Sequence, residues 1–67
     1  MSKTFEIIER VGISNESFSD AIKKVIMEAH SEGGVSWFEV SEERGRVTHD
    51  NLIEFQATVK IGRKKNS

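Results

Sequence analysis

The 67-residue sequence contains no cysteine, no proline and no tyrosine. Without cysteine there is no disulfide framework and no zinc–thiolate site. The two histidines, His30 and His49, are too few and too far apart for a metal clip. No apolar run exceeds three residues, far short of the ~20 needed to span a bilayer. Met1-Ser2-Lys3-Thr4 lacks the apolar stretch of a signal peptide. Nor is there an excess of charge of one sign: 10 Lys and Arg stand against 11 Asp and Glu, for a net charge of −1. Binding of nucleic acid by bulk electrostatics is therefore not expected. Repeats and low-complexity segments are absent as well. The expectation is a soluble cytoplasmic protein with no membrane or nucleic-acid partner.

What is present fits one small domain, residues 1–67, ending in a basic stretch, 63–67, expected to be a frayed tail. A chain this short buries only about 60% of its unfolded surface, and its core supplies roughly 3–5 kcal/mol. Disulfides and metals being excluded, oligomerisation is the remaining means of stabilisation.

Thr4 to Val11 is rich in β-branched and aromatic residues and predicts a strand, broken by Gly12. Ser14 is placed as a helix N-cap, with Glu16 in the first turn. Phe18, Ala21, Ile22, Val25, Ile26 and Ala29 then fall on one helical face, and Gly33-Gly34 closes the helix. Two further strands are predicted, from Val35 to about Arg46 and from Asn51 to Ile61. They are joined through the turn residues Thr48-His49-Asp50-Asn51 as an antiparallel hairpin. Gly45 suggests a bulge or bend. The fold class is α+β, with β-α-β-β order: a three-stranded antiparallel sheet with one helix packed across one face.

Strand alternation separates the side chains by face. In the last strand Ile53, Phe55, Ala57, Val59 and Ile61 should take the helix, joined by Phe38 and Val40. Val35, Trp37, Glu39 and Ser41 then point to the uncovered face, together with Gln56. The first strand is ambiguous, since Phe5 and Ile7 oppose Ile8. A tryptophan on an open sheet face has two readings. Trp37 and Val35 pack against a neighbouring copy, or the indole stacks on a planar ligand whose edge Gln56 hydrogen-bonds. The two are compatible if the ligand lies at the interface.

Gly12-Ile13-Ser14 followed by Ser17-Phe18 and Ala21 is similar to the start of dodecins. Val35-Ser36-Trp37-Phe38-Glu39-Val40 with Arg44-Gly45 resembles their second strand, and Phe55-Gln56-Ala57-Thr58-Val59-Lys60-Ile61-Gly62 their third. The resemblance runs from about Lys3 to Gly62. It implies a hollow homododecamer that binds flavins (FMN, riboflavin or lumichrome) on two-fold axes, sandwiched between symmetry-related tryptophans. Trp37 matches that tryptophan and Gln56 the glutamine at the ring edge. More loosely, Glu42 matches an acidic residue that helps hold the ribityl chain, with Glu43 adjacent and able to replace it across a bulge. Arg44 and Arg46 lie where the phosphate of FMN or coenzyme A would find cations. Arg63 departs from the apolar or aromatic residue that family members often carry there. The implied role is flavin storage with quenching of flavin photochemistry, and no turnover.

No nucleophile–base–orienter set points to an enzyme, and no catalytic or metal-binding residue is assigned. Ser14 and Ser17 belong to the helix start, His49-Asp50 to a turn. His30 stands at the helix end, where a cation favours the dipole. Asn15-Glu16-Ser17 is a glycosylation sequon without effect in the absence of secretion. Glu39, Glu42 and Glu43 read as a solvated strand face, with loose binding of a divalent ion as the other use. The alternative function is a flavin-free structural oligomer, or a shell that binds another ligand or ions.

Overall fold

A computed structural model describes residues 3–66, with side chains from Thr4 to Lys64. The elements are β1 (Lys3–Ser14), α1 (Phe18–Gly33), β2 (Trp37–Val47) and β3 (Ile53–Asn66). The sheet order is β1-β3-β2, with both neighbours of the central β3 antiparallel to it. The fold class expected from the sequence is the one observed, with several boundaries moved.

The core is thin. Ala21, Val25 and Ala29 of α1 meet Ala57, Val59 and Ile61 of β3, and Ile8, Ile22, Ile26, Val35 and Val40 pack around them. Phe18 and Phe55 close one end edge to face, with centroids 4.9 Å apart. Three alanines let helix and sheet approach closely, but they bury little apolar area. The predicted helical face is therefore the buried one. Val35 is a correction: it precedes β2 and packs on the core rather than the open face.

Gly12 does not break the first strand, which runs on to Ser14. A Cβ at Gly12 would lie 2.2 Å from the backbone oxygen of Ala21, so the glycine admits the helix against the sheet. The N-cap moves accordingly. Ser17, not Ser14, caps α1, its Oγ accepting from the Asp20 N–H at 2.9 Å. Ser14 is buried. Its hydroxyl accepts from the Glu16 N–H at 2.9 Å and donates to Asp20 Oδ2 at 2.6 Å, pinning the end of β1 to the first helical turn.

The Ser14 hydroxyl, and then Lys24, hold the Asp20 carboxyl below its ordinary value of 3.8. A lowered folded value means that the stabilisation is fully present above pH 3.8 and disappears as the pH falls through the folded value. Ser14→Ala should cost about 1–2 kcal/mol at neutral pH, combining a lost cap-like bond and an orphaned N–H. Thermal melts from pH 7 to pH 2 check this. The gap between wild type and variant should narrow only at the acid end.

At the other end Gly34, at φ 79°, donates its N–H to the His30 carbonyl at 2.9 Å. His30 Nδ1 accepts from the Val35 N–H at 3.0 Å. Its role is thus structural, tying the segment that leaves the helix back to the last turn. Arg63 supplies a second cap, Nη2 donating to the Ala29 carbonyl at 3.1 Å. The expected frayed tail is also corrected: β3 extends through Arg63 to Asn66, paired with Lys3–Glu6. Ser67 lies outside the described residues.

The β2–β3 connection is the expected turn. The Thr48 N–H donates to the Leu52 carbonyl at 2.8 Å, and Asn51 sits at φ 61°. The bulge falls at Ser41, between Val40 and Glu42, and not at Gly45. Ser41 secures it by donating to the Thr58 carbonyl at 3.2 Å.

Candidate functional site

The face of the sheet away from α1 is uncovered, and the register says which side chains occupy it. Ile8 pairs with buried Ile61 and Gly12 with buried Ala57, so Phe5, Ile7, Glu9, Val11 and Ile13 of β1 face the open side. This resolves the ambiguity of the first strand. Phe5, Ile7, Val11 and Ile13 are each more than half exposed. An apolar array of this kind on a small domain marks an interaction surface.

On β2 the Ser41 bulge changes the alternation. Before it, Trp37 and Glu39 pair with Gly62 and Lys60; after it, Glu42, Arg44 and Arg46 pair with Thr58, Gln56 and Glu54. The extra residue therefore places Glu42, Arg44 and Arg46 on the same face as Trp37 and turns Glu43 to the other side. This chooses Glu42 over Glu43 as the acidic group of that face and takes Ser41 out of the alternation.

Trp37 is 41% exposed. Its indole lies against Gly62, where a Cβ would come within 2.1 Å of Cε2 and 2.5 Å of Cζ2. Gly62 itself is buried, and Ile7 is its partner on the opposite side. A bare strip of backbone thus lets the indole rest on the sheet with its far side open to solvent. Such a face presents a flat aromatic surface whose position is fixed from below.

The polar end of the face is a network. Arg46 Nε donates to Glu54 Oε1 at 2.9 Å, and Gln56 Nε2 donates to the same oxygen at 2.8 Å. Arg44 Nη2 donates to Glu42 Oε1 at 2.8 Å. Arg46, and then Gln56, hold the Glu54 carboxyl below its usual value of 4.5. Both arginines keep much of their surface exposed, 63% and 66% of the side chain. They can therefore still meet an anionic group of a ligand.

The structure brings Gln56, Glu42, Arg44 and Arg46 together on one end of the face and leaves Trp37 at the other. The partners of Trp37 and Gln56 on β3, Gly62 and Gln56 itself, are six residues apart, about 20 Å at ~3.3 Å per residue. One planar ligand cannot touch both within a single chain. Two residues were not singled out from the sequence. Gly62 is recognisable only through its register opposite Trp37. Glu54 shows itself in the sequence as the residue two before Gln56 and hence on the same face.

Two grooves of the single chain lie on the helix side of β2. A groove of about 330 Å³ runs between α1 and β2, lined by Ser19, Ile22, Lys23, Ile26, Met27 and Phe38. A second, of about 530 Å³, continues past His30 to Trp37. They exist because α1 packs over β1 and β3 and leaves the helix side of β2 bare. Among the described residues no group of three or more His, Asp or Glu forms a metal site, and no helix is long and apolar enough to cross a membrane.

Residues 4–64 match the family model of dodecin. A dodecin of Thermus thermophilus is 32% identical over 63 residues, covering 92% of this chain and 91% of that protein. The dodecin of Streptomyces davaonensis superposes with a TM-score of 0.86 at 29% identity, covering the whole of both chains. A calcium dodecin of Mycobacterium tuberculosis superposes with a TM-score of 0.85 at 17% identity, over 94% of this chain and 91% of that one, and shares the fold.

Proposed function

The chain belongs to the dodecin family, and from that premise we propose that it is a flavin-sequestering homo-oligomer rather than an enzyme. The observation that carries the reading is the Trp37 indole seated on Gly62, on an otherwise uncovered apolar sheet face. A flavin ring stacks on the free side of that indole, worth about 0.5–1.5 kcal/mol for each aromatic pair beyond area burial. A second copy, related by a two-fold axis, supplies the opposite wall, because an isologous contact presents the same patch twice. The 20 Å that separate Trp37 from Gln56 support an intermolecular site, in which the indole of one chain and the amide of another meet one ligand.

The remaining assignments follow the same face. Arg44 and Arg46 offer cations to a ligand phosphate, such as that of FMN or coenzyme A, and Glu42 an acceptor for ribityl hydroxyls. Close contact between indole and flavin permits electron transfer to the excited ring, which quenches fluorescence and limits photochemistry. The assembly is the closed dodecamer that the family resemblance implies, acting in the cytoplasm.

Gly62→Ala tests the geometry directly. The added methyl must displace the indole, since the clash is with a rigid ring rather than a flexible end. Affinity for riboflavin, read by fluorescence quenching, should fall roughly tenfold to a hundredfold, or about 1.4–2.7 kcal/mol. An affinity within a factor of two of wild type would rule out the seated indole as the binding surface. The alternative, a flavin-free structural oligomer or a shell for another ligand or ions, predicts no quenching by wild type or variant.

A further inference from the structure

We propose that Glu54, held by Arg46, is a positioning residue that fixes the Gln56 amide with its oxygen free to accept and one N–H left to donate, a pattern complementary to an imide edge. The inference deepens the flavin reading and rests on it. A carboxylate accepts hydrogen bonds and donates none, so the Gln56 atom 2.8 Å from Glu54 Oε1 must be the nitrogen. Chemistry, rather than the shape of the amide, thus decides its orientation. Arg46 Nε donates to the same carboxylate oxygen at 2.9 Å. Glu54 is half-buried between the two, its side chain 18% exposed.

An unrestrained surface glutamine turns over freely and suits a donor or an acceptor on the ligand equally. Here one Nε2 hydrogen is taken by Glu54. Gln56 keeps its Oε1 as acceptor and its second Nε2–H as donor, side by side on one plane. A cyclic imide, N–H beside C=O, is the matching edge, and the pyrimidine end of a flavin is one. A ring whose imide nitrogen is alkylated cannot donate to Oε1. The arrangement therefore selects for the ring edge, while Trp37 holds any flat ring.

The test compares riboflavin with 3-methylriboflavin, in which the imide N–H is replaced, by quenching titrations of the assembled protein. Wild type should prefer riboflavin about tenfold, the loss of one hydrogen bond. In Glu54→Gln the neighbour can both donate and accept, so Gln56 is free to turn over, and the preference should fall to about threefold or less. Arg46→Gln, which leaves Glu54 and Gln56 in place, should lower it by a smaller factor, and it decides the matter if the Glu54 variant fails to fold. A tenfold preference retained in both variants overturns the positioning role. Wild type that binds both flavins equally overturns the acceptor assignment. Wild type that binds neither overturns the flavin reading itself, and this inference with it.

Discussion

Trp37→Ala should weaken riboflavin binding at least a hundredfold, equivalent to about 2.7 kcal/mol or more, and should abolish quenching of whatever flavin still binds. The size of the effect follows from what the indole supplies. It is the one tryptophan in the chain and lies on the open face of the sheet against Gly62. Buried aromatic anchors of this kind dominate binding energy, with truncation costing about 2–4 kcal/mol or more. The charged groups of the face cannot compensate. Arg44 and Arg46 are well exposed and already paired, and exposed pairs contribute about 0–1 kcal/mol. Equilibrium titration by fluorescence, with particle mass followed by light scattering, is the measurement. Lost binding on a particle of unchanged mass identifies Trp37 as the ligand's platform. Collapse of the particle, with no flavin bound by wild type, identifies it as interface alone.

The second large effect concerns the fold. Gly12→Ala should destabilise the protein by about 3 kcal/mol, the upper end of ordinary overpacking, and lower its melting temperature by more than 10 °C. The methyl would meet the backbone oxygen of Ala21 at 2.2 Å and Val25 Cβ at 3.1 Å. A backbone carbonyl inside a helix cannot swing aside, so the whole of α1 must lift from the sheet. That separates Ala21, Val25 and Ala29 from Ala57, Val59 and Ile61, the buried apolar residues among those described. Gly45→Ala is the comparison, since its methyl would stand 3.1 Å from the Glu54 carbonyl and a shift of a few tenths of an ångström accommodates it. Thermal melts followed by circular dichroism should rank Gly12→Ala far below Gly45→Ala. Equal melting temperatures would contradict the close helix–sheet contact.

The course of the chain was legible in its residue pattern where the signal is periodic. Ala21, Val25 and Ala29 repeat at helical spacing and are buried; Ala57, Val59 and Ile61 alternate and are buried. The same alternation put Trp37 and Gln56 on the uncovered face, as the register has it. The failures share a cause: each depends on a contact between elements. At Gly12 the local sequence predicts a break, because the helix carbonyl that requires the glycine is nine residues away. A break at Gly12 predicts the N-cap at Ser14 in turn. A strand that continues past Gly12 moves the helix start to Ser17. The bulge was expected at the glycine, whereas Ser41 carries it, stabilised by a bond to Thr58 on the next strand. In the sequence Arg63 is only a departure from the family pattern. Its use as a cap on the Ala29 carbonyl depends on β3 running beneath the end of α1.

The candidate site was half legible. Alternation gives a face, but not a distance along it. Only the pairing of Trp37 with Gly62 and of Arg44 with Gln56 shows that the two named residues stand at opposite ends. That separation puts the two beyond the reach of one planar ligand in a single chain, which supports the proposed site between chains.

The most direct test of the account is a titration of riboflavin with the purified protein, reading flavin fluorescence and light-scattering mass on the same sample. The account predicts strong quenching that saturates near one flavin per chain, on a closed particle of about twelve chains. Undiminished riboflavin fluorescence on a particle of that mass would contradict it, leaving the fold and removing the flavin.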